Sequence, residues 1–126
     1  MLGFVLGLGL AASASAAEIT REPDLRCVAA VSAALGIMGE RKDADAETMS
    51  GLTAVFMYYL GKVDARHPGL DYAPPLAALM NAPGYAAALP DDLKRCGTEA
   101  EERGRTLRIL GEQLKAMPPL VQRHAG

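Results

Sequence analysis

The chain has 126 residues, half of them apolar, with 13 basic against 15 acidic side chains and a formal charge of −2. That length builds one domain with one modest core, and the mixed charge supplies no basic stripe for phosphates, which argues against nucleic acid as a partner. With no Trp, two Phe and four Tyr, the core must rely on Leu, Val, Met and close Ala/Gly packing, which favours touching helices over a large ligand cavity.

Residues 1–17 carry no charged side chain and are apolar over 2–10 before turning to Ala and Ser. Both Ala14-Ser15-Ala16 and Ser15-Ala16-Ala17 satisfy the small-x-small cleavage rule, so 1–17 reads as a secretion signal removed after Ala16 or Ala17. The apolar run is too short for a hydrocarbon core of about 30 Å, which needs roughly 20 residues. No stable membrane span is therefore expected once the signal is gone. The expected product is a periplasmic or secreted helical domain over 18–117 with a flexible tail over 118–126.

Two cysteines, Cys27 and Cys96, stand in this exported chain. Outside the cytosol thiols are oxidised, and two cysteines leave one connectivity. A structural Cys27–Cys96 disulfide is expected, closing a loop of about 70 residues and worth roughly 4 kcal/mol on the chain-entropy account. Neither a C-x-x-C redox pair nor a ligand spacing with His67 and His124 is present, so no metal and no cofactor is expected.

Helix signals follow in order. Glu22-Pro23-Asp24 looks like a helix entry, with Leu25, Val28, Val31, Leu35 and Met38 in register behind it and Gly36 and Gly39 marking the exit. Residues 40–47 read as a loop in which Asp43 or Asp45 caps the next helix. There Met49, Leu52, Phe56, Tyr59, Leu60 and Val63 keep helical spacing up to Pro68-Gly69. A shorter helix is expected after Asp71 with Pro74 and Pro75 in its first turn, ending at Pro83-Gly84, with room for a further turn over Tyr85 to Leu89. The longest is expected from Pro90 to Met117, where Pro118-Pro119 stops it. The pattern as a whole predicts an all-α bundle of about four helices.

Three rows in that last helix repeat every seven residues on one face. They are Leu93, Ala100, Leu107 and Leu114; Cys96, Arg103, Leu110 and Met117; and Gly97, Gly104 and Gly111. Each mid-helix glycine costs roughly 1 kcal/mol relative to Ala, so the glycine row predicts close approach of another backbone. The first helix, with Ala30, Ala33, Ala34 and Gly36, is the expected neighbour. A self-association seam is the competing explanation, but Arg103 within the seam favours a monomer over a homodimer.

A candidate binding surface lies where the second long helix ends. Asp64, Arg66 and His67 are of the types that grip a small anion or a carboxylate, and Tyr58 offers an aromatic platform. The plainer explanation is that Lys62, Arg66 and His67 offset the helix dipole and Asp64 pairs with one of them. No nucleophile elbow, Walker loop or H-E-x-x-H is present. The chain therefore reads as non-enzymatic, with no catalytic residue.

A Cys in the first helix and another at the start of the last, behind a signal, resembles the general plan of the periplasmic acid-stress chaperones. The stretch containing Tyr59-Leu60-Gly61-Lys62, Asp64, Arg66 and Pro68 resembles a group of small uncharacterised exported bacterial proteins. The first resemblance implies a chaperone that loosens in acid and binds client proteins. The alternative is an envelope protein–protein interaction module that works at neutral pH.

Overall fold

A computed structural model describes residues 16–118. Five helices make up this part of the chain: α1 (Ala16–Arg21), α2 (Pro23–Glu40), α3 (Ala46–Arg66), α4 (Ala73–Met80) and α5 (Tyr85–Lys115). The expected signal lies outside the described residues except for Ala16 and Ala17, which open α1, and the expected tail lies outside them beyond Pro118. Among the described residues no helix is long and apolar enough to cross a membrane.

The helix count exceeds the expected four because a short helix precedes the first predicted one. Glu18 in its first turn and Arg21 in its last suit the helix dipole. Pro23 then separates α1 from α2, because a residue without an N–H is tolerated at the start of a helix and not in its interior. The Glu22 side chain caps α2, accepting the Leu25 N–H at 2.9 Å. This helix runs through Gly36 and Gly39 to Glu40 rather than stopping at them. Both are exposed and neither has a positive φ, so they weaken the helix only through propensity.

Asp45, rather than Asp43, caps α3 by accepting the Thr48 N–H at 2.7 Å. Asp71 accepts the Ala73 N–H at 3.2 Å just before α4. The last helix starts at Tyr85, five residues ahead of the Pro90 start expected from sequence. The chain reverses at Gly84, whose φ of 81° is in the left-handed region that glycine tolerates. Pro90 then sits inside α5, removing the N–H that would have reached the Ala86 carbonyl but not ending the helix.

The N-terminal half of α2 is the centre of the domain. Leu25, Cys27, Val28, Ala29, Ala30 and Val31 are all buried, more consecutive positions than a one-sided amphipathic stripe produces. Neighbours must therefore surround it. The largest interface is with α3, which returns antiparallel and contributes Tyr59 and Val63. Next to them α1 and α4 pack on each other and on α2, with Leu79 buried in α4, while the N-terminal part of α5 meets α2 at the cystine. Burying Leu25 and Val28 completely stabilises the fold by about 1.5–3 kcal/mol each.

Cys27 and Cys96 are bonded, with Sγ–Sγ 2.00 Å and Cα–Cα 5.6 Å. Two ties reinforce the junction. Arg26 donates to both oxygens of Asp92 at 3.3 and 2.7 Å, and Arg95 donates to the Pro23 carbonyl at 3.1 Å.

Beyond the junction, α5 does not behave as its glycine row suggests. A Cβ at Gly97, Gly104 or Gly111 would meet nothing within 4 Å. No backbone approaches there, and Gly36 on α2 is itself exposed. Ala33 and Ala34 are only half-buried. Reach explains this: α5 meets α2 at Cys96, the twelfth of its 31 residues, and the later turns diverge from the bundle.

Replacing both cysteines by Ala releases a loop spanning 69 residues and is expected to lower the unfolding free energy by about 4 kcal/mol, measured by urea denaturation. The Tyr85 hydroxyl is buried without a hydrogen-bond partner. Tyr85→Phe should therefore leave stability unchanged or raise it by up to about 1 kcal/mol in the same assay; a loss of more than that would show that the hydroxyl is satisfied.

Candidate functional site

Charged groups concentrate where α3 passes the starts of α2 and α5. Lys62, on the inner side of α3, reaches Asp24 of α2 at 2.8 Å and Glu99 of α5 at 2.7 Å. Arg66, one turn on, reaches Glu22 at 2.5 Å and Asp24 at 3.2 Å. The fully buried Tyr59 donates to Glu99 at 2.6 Å and lies 2.9 Å from the Cys96 carbonyl. The acids thus come from α2 and α5 and the bases from α3, so the cluster staples three helices beside the cystine.

This arrangement sets the protonation states. The Lys62 hydrogen bond, then that of Tyr59, holds the Glu99 carboxyl below its ordinary range. Burial works against the Lys62 ammonium, but hydrogen bonds to Asp24 and Glu99 and their charges outweigh it and raise its pKa. Burial first and the Glu99 bond second push the Tyr59 hydroxyl well up, so it stays a donor. Lys62 and Arg66 are each paired with two carboxylates, while the buried Asp24 Oδ2 has Arg66 at 3.2 Å but no hydrogen bond. The cluster ties the starts of α2 and α5 to α3.

The residues expected to form one binding surface each have their own contacts. Asp64 accepts the Tyr72 hydroxyl at 2.5 Å, and burial together with that bond pushes the Tyr72 phenol up to about 12. Arg66 is committed to α2. His67 follows α3 as its C-cap, where its backbone N–H reaches the Val63 carbonyl at 2.8 Å.

Tyr58 faces α5. Its ring packs edge-on to Tyr59 with centroids 4.9 Å apart, with the Lys62 ammonium 5.4 Å away and the Arg103 guanidinium 6.0 Å away. Among the described residues no group of three or more His, Cys, Asp or Glu is placed to hold a metal ion.

Above Tyr58, α3 and α5 diverge and leave a cleft of about 230 Å³ lined by Ala54, Val55, Tyr58, Ala100, Arg103, Gly104 and Leu107. Its wall is almost wholly apolar, with Arg103 the charged group in it. The cleft continues into a strip along the far half of α5. Leu107 is 60 % exposed, Leu110 47 %, Leu114 57 % and, just past the helix, Met117 61 %. The heptad spacing of these residues is visible in the sequence, but their lack of a partner is not, because spacing fixes a face and not what lies against it.

Compared with protein-family models, with curated proteins and with solved structures, the chain matches none.

Glu99→Gln tests the electrostatic staple. A carboxyl held below its ordinary pKa stabilises the fold fully above that pKa and loses its contribution as pH falls through the lowered one. The variant should be less stable at pH 7 by on the order of 1 kcal/mol, Glu99 being partly exposed. It should also show a flatter stability curve between about pH 5 and 3 and converge with the wild type below that range. Thermal unfolding followed by circular dichroism across pH reads both effects.

Proposed function

We propose that this is an exported, non-enzymatic helical interaction module of the envelope that docks a protein partner on the α5 strip and the adjoining α3–α5 cleft. The observation that carries the reading is the alignment of Leu107, Leu110 and Leu114, each about half exposed or more, on one face of one helix. Single exposed leucines are ordinary, but a contiguous apolar face is characteristic of an interface. The paired ions around Lys62 support the non-enzymatic half of the reading. The cystine supports export, since disulfides persist in oxidising compartments, and the signal-like residues 1–17 support it independently.

A photo-crosslinker at position 110 tests the docking face in intact cells at neutral pH. The module reading expects a reproducible adduct with one protein or a few, abolished by Leu107→Asp with Leu114→Asp. Equal labelling from the exposed position 87, in the first turn of the same helix, would contradict it.

A second reading, that of an acid-released client binder, draws on one observation. The inter-helix ties depend on Glu22, Asp24, Asp92 and Glu99, all of which acid protonates. Full protonation of the carboxylates swings the net charge from −2 to +13 before the histidines are counted, while the cystine keeps the loosened chain closed. This reading expects less aggregation of an acid-sensitive client at pH 2–3; equal aggregation with and without the protein removes it.

A further inference from the structure

We infer that the occupant of the α5 strip is a second copy of this chain, laid antiparallel so that Leu107 of each copy meets Leu110 of the other. The inference rests on the docking reading above and names its partner. Leu107, Leu110 and Leu114 are spaced three and four apart, the alternation that packs one helix against another along a seam, and nothing in the fold covers them.

Three observations select this pairing. First, the glycines find a use. Gly104 and Gly111 flank the seam on one side, and in an antiparallel pair with Leu107 opposite Leu110 that flank brings Gly104 of one copy alongside Gly111 of the other. Each glycine has open space above it within the single chain, so close approach between two copies explains positions that cost the isolated helix roughly 1 kcal/mol each.

Second, Arg103 chooses the direction. It occupies a seam position, and a parallel dimer would set the two guanidinium groups against each other. The antiparallel register places Arg103 opposite Leu114 instead, free to stay near Tyr58 of its own chain, 6.0 Å away. Third, the rest of each domain is attached at the α5 N-terminus. Antiparallel helices send the two domains to opposite ends, whereas parallel ones would crowd them together.

The size suits a reversible dimer. The seam over residues 100–115 is about 24 Å long. Two such strips, with the α3 wall of each cleft, hide on the order of 1,000 Å², at the lower limit for a specific interface.

The test is sedimentation equilibrium of the full chain at neutral pH with the Cys27–Cys96 bond intact, over about 1–100 μM. The wild type is expected to be a reversible dimer. Leu110→Glu is expected to weaken it by at least about 100-fold. Gly111→Gln, a better helix former that meets nothing within its own chain, is expected to weaken the dimer while leaving the helical circular dichroism and melting of the dilute chain unchanged or improved. A wild-type chain that stays monomeric throughout overturns the inference, as does a dimer that both variants leave intact. Either outcome leaves the crosslink from position 110 to decide the docking reading separately.

Discussion

Cys27 and Cys96 are 69 residues apart in the chain and 5.6 Å apart at Cα, and the position of that bond within its two helices determines what the remainder of the domain has to do. On α2 it falls in the first turn and a half, amid the most deeply buried residues. On α5 it falls near the twelfth of 31 residues. The bond therefore anchors the start of one helix to the first half of another, and the second half of α5 receives no support from it.

The polar contacts obey the same geometry. Arg26 with Asp92, Lys62 with Asp24 and Glu99, and Tyr59 with Glu99 all lie within about a turn of the cystine. A core this small, with Tyr59 as its largest fully buried side chain, gains from having its ionic ties and its covalent tie in one place. Coulomb attraction is strongest where water is partly excluded, and the loop-closure constraint holds the charged partners at short range. The consequence is a domain cohesive at one end and open at the other, with an apolar face left in water where α5 leaves α3.

Much of this is legible in the sequence. Pro23, Asp45 and Asp71 mark the starts of α2, α3 and α4, and two cysteines admit one pairing. What misleads is local punctuation read as absolute: Gly36 and Gly39 do not end α2, and Pro90 does not begin α5. Each is an exposed position, where a glycine or a missing N–H weakens a helix without stopping it.

The deeper gap concerns faces. Heptad spacing identifies the Leu107, Leu110 and Leu114 row and the glycine row beside it, but whether a row meets its own chain depends on crossing positions far away in sequence. Here the Cys96 crossing decides, and it leaves both rows uncovered. The same limit applies to Asp64, Arg66 and His67. Asp64 accepts from Tyr72 just ahead of α4, Arg66 pairs with Glu22 and Asp24 at the start of α2, and His67 closes the helix through its backbone N–H.

Concentration-dependent hydrogen exchange of the oxidised chain bears most directly on the claim that the far half of α5 lies outside the fold's own core and is covered by another molecule. Amides over 104–115 are predicted to exchange far faster than those of 25–31 in dilute solution and to slow as the chain is concentrated, while 25–31 stay constant. Protection over 104–115 that equals that of 25–31 at every concentration would contradict it, because that half of α5 would then be part of the core.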